Sequence, residues 1–270
     1  MWKTIKTGYT IAWNQPFVVC TLFIYNLLWG LALYELIRSI VSPLLHRYPQ
    51  ELSREAVHLF WIEAQFQIMK TDLIHSYAWW GLCLLLARML LTPLLNAGVY
   101  YSLEHTEMNA GYRFVQGMRE LALPFFGLYV LQMLLTLSPL YWLIPKAIEL
   151  YRTNATLADV AKDVLMYLAG YLAYVFLLQT VFMYLQFGRT GGKSHLSSLL
   201  LLVRNVIPVI LTAIFILLVT LIISALVMTS AMIWTGFLAL LGYQMYRLVH
   251  TFCKMWAITA QYALWSAHSD

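Results

Sequence analysis

Two charged residues lie where charge is costly. Arg88 falls inside an apolar run from Tyr77 to Tyr101, and Glu35 is the only acid in a second run, Pro16–Arg38. If Trp79 and Trp80 mark a membrane interface, Arg88 lies about 12–14 Å deeper, at ~1.5 Å per helical residue. A cation at that depth costs at least ~2.5–3.5 kcal/mol and must face protein or water. An Arg88–Glu35 pair would let both side chains point inward, as an intramembrane device for packing or as a substrate or proton contact. No second acid extends the pair into a relay, so the packing role takes precedence.

Other chemistry-bearing patterns are weaker. Gly188-Arg189-Thr190-Gly191-Gly192-Lys193-Ser194-His195 approaches a phosphate-binding loop, but only three residues, not four, separate its first glycine from Gly-Lys-Ser. It also follows an apolar helix rather than a strand, so a flexible basic loop touching lipid headgroups is the better reading. Glu104, His105 and Glu107 are the one close group of acids and imidazole on the same side of the membrane. The seven histidines (His46, His58, His75, His105, His195, His250 and His268) form no HxxH or HExxH pair. Metal, haem and other cofactors are therefore not expected, and no hydrolase arrangement or GxSxG occurs. Cys20, Cys83 and Cys253 read as small buried apolar residues.

The elements that must carry these residues follow from composition. Hydrophobic residues make up 61% of the 270, charged residues 11%, and the mean hydropathy is +0.71. A water-soluble domain carries about a quarter charged residues, so the chain is read as one integral membrane domain over 1–270. Apolar stretches at about 16–38, 77–101, 122–145, 162–187, 206–228 and 232–253 are each long enough for a ~30 Å hydrocarbon core. The expected fold is an all-α polytopic bundle of six transmembrane helices, arranged as three hairpins with short interfacial helices. With the N-terminus inside, the inner segments hold nine cations and four acids, the outer ones seven of each. The excess +5 on one side orients both termini towards the cytoplasm. The inner cations Arg113, Arg119, Arg189, Lys193 and Arg204 form a basic face for anionic lipid headgroups or a docking partner. Nucleic acid binding has no support.

The odd-numbered spans open alike: Asn14-Gln15-Pro16-Phe17-Val18, Leu121-Ala122-Leu123-Pro124-Phe125 and Asn205-Val206-Ile207-Pro208-Val209. Proline is tolerated in a first helical turn and disfavours helix in the residue before it. Three units of interfacial helix, bend and span are expected. Apolar residues at steps of three and four predict an outer amphipathic helix over about 51–74. Thr156-Leu157-Ala158-Asp159 has capping-box spacing ahead of the fourth span, and Asn154-Ala155-Thr156 matches a glycosylation pattern. Tyr167, Tyr171 and Tyr174 line one face of that span, with Gln179 below. Aromatic packing with internal hydrogen bonds is their expected role. Ala169 and Ala173 are expected to favour close helix approach.

The stretch Pro93-Leu94-Leu95-Asn96-Ala97-Gly98-Val99-Tyr100-Tyr101, followed by Asn109-Ala110-Gly111-Tyr112-Arg113-Phe114-Val115-Gln116-Gly117-Met118-Arg119, resembles uncharacterised six-span bacterial membrane proteins. In those, Ala-Gly ends one helix and a basic Gly-x-x-Phe-x-x-Gly linker leads into the next. The layout is also similar to the membrane portion of some glycerophosphodiester phosphodiesterases. The resemblance implies a bacterial plasma membrane and brings no catalytic residues, because no phosphodiesterase domain is present. The expected function is a non-enzymatic scaffold or accessory subunit of a membrane complex, binding lipid or other membrane proteins. A small transporter, or a permease subunit working with an ATPase, is the alternative, and a lipid-handling membrane enzyme is a second one.

Overall fold

A computed structural model describes residues 2–45, 62, 73–153, 157–233 and 237–269. Their helices are α1 (Trp2–Trp13), α2 (Pro16–Leu45), α3 (Leu73–Glu104), α4 (Ala110–Glu120), α5 (Ala122–Leu137), α6 (Leu140–Thr153), α7 (Leu157–Thr190), α8 (His195–Arg204), α9 (Val206–Ile233) and α10 (Phe237–Ser269). The fold class is all-α, and no strand occurs among the described residues. Among the described residues five segments are long and apolar enough to cross a membrane: Pro16–Ser39, Tyr77–Glu104, Ala122–Leu150, Lys162–Thr190 and Val206–Ser230. They make the chain a multi-pass membrane protein. The amphipathic pattern over 51–74 falls almost wholly outside the described residues, as do His46, His58, Asn154-Ala155-Thr156 and the start of the capping box.

Three short helices, α1, α4 and α8, each lead into a long one, with Pro16, Pro124 and Pro208 in the first turn that follows. There the missing proline N–H costs nothing, because the first helical N–H groups have no intrahelical acceptor. The joints share a geometry. Leu121 (φ −104°, ψ 3°) and Asn205 (φ −113°, ψ 29°) sit between helices with their N–H groups bonded back to Gly117 and Leu201. Their carbonyls then accept from Phe125 and Val209 at 3.0 and 3.1 Å, and Gln15 accepts from Val19 in the same way at 3.3 Å. Val18, Phe125 and Val209, just past the three prolines, are each fully buried. The second and third joints are thus one backbone turn used twice, and the first is a variant in which Gln15 N–H bonds to Ala12 and the proline follows at once.

Each short helix also folds back onto the end of a long one through a small residue. The α4 residues Phe114 and Gly117 press on Gly98, Ala97 and Tyr101 of α3, where a Cβ on Gly98 would lie 2.9 Å from the Phe114 ring. Ser198 of α8 fills the space over Gly188 of α7. Gly8 of α1 lies against the backbone of Ala260 on α10. That third contact is fixed by Thr259 Oγ1 donating to the Gly8 carbonyl at 2.7 Å and by Trp256 Nε1 donating to Ile5 at 3.1 Å. α3 continues past Ala97-Gly98 to Glu104, and Gly111-x-x-Phe114-x-x-Gly117 forms the packed face of α4. Ala169 and Ala173 are exposed and take no part in close approach.

By contact density the chain divides into two compact units, Met1–Cys20 with Pro93–Asp270, and Thr21–Thr92. In the first unit the core gathers where α3, α7 and α10 end. Phe187 packs against Tyr100 (5.0 Å), Tyr262 (5.6 Å), Tyr184 (5.8 Å) and Trp265 (6.0 Å) between ring centroids. Further along, large apolar side chains such as Leu165, Met166 and Leu172 of α7 and Leu221, Ile222 and Leu226 of α9 are exposed. Such surfaces suit lipid rather than water. In the second unit, Tyr77 donates to the Ser39 carbonyl at 3.2 Å and Tyr25 pairs with Thr92 at 3.5 Å.

The third span is broken at Ser138-Pro139 rather than running straight to residue 145. Proline supplies no N–H to the Leu135 carbonyl, and an unsatisfied carbonyl in a membrane is expensive. The fourth span repairs the gap. Tyr174 donates to Leu135 at 2.9 Å and Tyr171 to Thr136 at 3.2 Å, while Tyr167 packs edge-on against Trp142 at 6.0 Å. The tyrosine face does what aromatic packing with internal hydrogen bonds predicts.

Candidate binding site in the helix bundle

The charge pair does not assemble. Glu35 accepts from Arg38 at 3.3 Å on its own helix, one turn away. The Arg88 guanidinium lies over the Trp29 ring instead, 5.3 Å from its centroid. A cation over an aromatic face gains ~0.5–2 kcal/mol depending on desolvation, so Arg88 is held by a ring quadrupole rather than by a carboxylate.

The basic residues are dispersed. Arg113 is buried in α4, where Nη1 donates to the Thr106 carbonyl at 3.2 Å and burial lowers its pKa from the ordinary value. Its buried Nε has no partner among the described residues. Arg119 lines a shallow surface pocket with Tyr112 and Glu120, and Arg189 is exposed at the end of α7. Lys193 and Arg204 border a common groove beside α8. The loop from Gly188 to His195 is not loose. α7 runs to Thr190, Gly192 takes a left-handed φ of +66°, and Lys193 N–H donates to the Gly188 carbonyl at 2.9 Å. That 6→1 bond and left-handed glycine are a Schellman-type helix end. Glu104 and His105 are engaged separately. Glu104 accepts from the Tyr262 hydroxyl at 2.8 Å, and His105 stacks on Tyr101 with centroids 4.0 Å apart. Burial, and then the hydrogen bond to Glu104, raises the Tyr262 pKa above the ordinary tyrosine range. Among the described residues no three metal-ligating side chains come together.

What the structure does assemble is a polar pocket of about 460 Å³ among α3, α5, α7, α9 and α10. Its walls carry the amides Asn96, Gln132, Gln179, Gln186 and Gln261, the hydroxyls of Thr180 and Thr220, and the basic side chains His250 and Lys254. Helical rise puts Gln132 about 15 Å beyond the start of α5 and Gln179 about 16 Å before the end of α7. Half of a ~30 Å core is about 15 Å, which places Gln132 and Gln179 near mid-membrane.

The pocket has a fixed part and an adjustable part. Gln261 is locked, accepting from Tyr184 at 3.1 Å and donating to the Val209 carbonyl at 2.9 Å, which ties α7, α9 and α10 together. Thr180 and Thr220 donate to Phe176 and Ile216 of their own helices at 2.9 and 2.8 Å, leaving their oxygens as acceptors. Asn96, Gln132 and Gln179 make no side-chain hydrogen bond to any described residue. Each amide offers two donors and an acceptor. His250, stacked on Tyr246 at 5.7 Å, keeps a buried Nδ1 with no partner among the described residues. Unpaired amides inside a membrane bundle cost free energy unless water or a ligand meets them.

Of these residues, sequence reading singled out only Gln179, and for its place below a tyrosine face. The signal for the rest was present in neutral amides interrupting apolar runs, at Asn96, Gln132 and Gln186. No family model, curated protein or solved structure matches the chain.

Proposed function

We propose that this chain is a six-span bacterial plasma-membrane protein that binds a small polar solute in the amide-lined pocket and passes it across the membrane. The observation that carries the reading is that Asn96, Gln132 and Gln179 line one pocket with no side-chain hydrogen bond to any described residue, Gln132 and Gln179 near mid-membrane depth. A pocket of about 460 Å³ lies within the range of small-ligand sites, ~300–1,000 Å³. Amides can meet the donors and acceptors of a neutral or zwitterionic solute. Lys254 and His250 also line the pocket and add polar nitrogens that an acceptor group of the solute could meet. The sixth span is read from the apolar stretch over 232–253, the cytoplasmic termini from the charge excess, and the bacterial membrane from the resemblance at Pro93–Arg119.

The test is a thermal-shift screen of the purified full chain against amino acids, sugars, nucleosides and short carboxylates. A compound that raises Tm for wild type, and not for Gln132→Leu with Gln179→Leu, supports the reading. If no compound does so and a membrane protein copurifies in fixed stoichiometry, the accessory-subunit reading takes its place. That second reading is favoured by the exposed apolar faces of α7 and α9, which could pack on a partner's helices as well as on lipid. A lipid-modifying enzyme is the least supported, since Glu104 and His105 point into separate contacts.

A further inference from the structure

We propose that the groove beside α8 is a binding site for the headgroup of an anionic phospholipid, independent of the mid-membrane pocket. The groove encloses about 600 Å³ between α8 and the end of α10. Lys193 stands at one end and Arg204 at the other, His268 and Trp265 form the α10 wall, and no acid is among the described residues that line it. Lys193 is held in place twice, by the helix-ending turn below it and by the Trp265 ring, 5.6 Å from its ammonium. The His268 Nδ1 meets the Leu264 carbonyl at 3.0 Å, leaving Nε2 as the ring atom that can meet a ligand. Ser194, at the N-cap of α8, makes no side-chain capping bond, so the first N–H groups of that helix keep their attraction for an anion.

A second feature selects a lipid over a free anion. Leu196, Leu200 and Val203 are 78%, 70% and 73% exposed and recur at steps of four and three on α8. They form an apolar ridge, and Leu200 also lines the groove. Cations beside an outward apolar ridge match a phospholipid, with phosphate in the groove and acyl chains along the ridge. The described lining offers cations and no carboxylate for a headgroup ammonium, so a net negative headgroup is preferred.

The experiment is native mass spectrometry of the detergent-purified full chain titrated with phosphatidylglycerol, phosphatidylcholine or inorganic phosphate. Phosphatidylglycerol adducts should exceed phosphatidylcholine adducts, and Lys193→Gln with Arg204→Gln should weaken them about tenfold, the effect of losing charge-assisted contacts. Arg204→Gln alone, at an exposed helix end, retains the fold and gives part of the loss. Lys3→Gln with Lys6→Gln removes the same charge from exposed positions of α1 and should leave the adducts within about twofold. An equal loss in both double variants, or none in the groove variant, overturns the site. Inorganic phosphate binding with the same residue dependence overturns the lipid assignment.

Discussion

Replacing Gly8 with alanine tests the seam between α1 and α10 directly. A Cβ at Gly8 would run into the Cα, N and Cβ of Ala260. Two of those atoms are helix backbone, so no rotamer change can absorb the methyl and the helices must separate. Overpacking of this kind costs about 1–3 kcal/mol. Separation also stretches the Thr259–Gly8 and Trp256–Ile5 bonds, now 2.7 and 3.1 Å, at about 0.5–1.5 kcal/mol each. Against this stands a helix-propensity gain of about 1 kcal/mol for alanine over glycine. The net expectation is a loss of about 1–5 kcal/mol, read as a lower Tm for the detergent-solubilised chain. Gly127→Ala is the matched control, since a Cβ there meets nothing within 4 Å, and it should be neutral or slightly stabilising. Adding Ala260→Gly removes only one of the three clashing atoms and should not restore Gly8→Ala. Equal Tm values for Gly8→Ala and Gly127→Ala, or full rescue by Ala260→Gly, would refute the backbone contact.

Two further perturbations probe other joints. Tyr174→Phe leaves the Leu135 carbonyl with Ser138 as its remaining side-chain donor and should cost about 0.6–1.7 kcal/mol. In a Pro139→Leu background, where a backbone N–H returns, that cost should shrink towards zero in a double-mutant cycle of unfolding free energies. For Tyr262, burial and the Glu104 contact raise the folded-state pKa, so the neutral phenol contributes stability that is fully present below the unfolded value of about 10. It is lost as pH rises beyond that, and the alkaline fall in Tm should be shallower in Tyr262→Phe.

The parts legible in the sequence were those fixed by local chemistry. Pro16, Pro124 and Pro208 announce the three joints because proline's ring acts within one turn. Tyr171 and Tyr174 announce a hydrogen-bonded face because a phenol in a membrane needs a partner, though not that Pro139 creates the carbonyls they serve. The docking of α1 on α10 joins residues about 250 apart, and no periodicity in either helix names the other. Arg88 was legible as a cation inside an apolar run but its partner was not, since Trp29 carries no formal charge to balance. The pocket escaped for a related reason: its amides are neutral, so counting ions across the spans passes over them.

The contact between Gly8 and Ala260 sets an order of assembly. Translation delivers α1 to the membrane first, and the helix that satisfies it only after more than two hundred further residues. Until then the indole, phenol and small-residue face of α1, with Tyr9 and Trp13 awaiting Phe252 and Trp256, has no native surface to lie on. A nascent chain stalled before residue 252 would carry that face unpaired. Closure of the seam is then a late event that waits for α10, and an unclosed α1 is a handle by which membrane quality control could recognise a copy in which the two helices have not met.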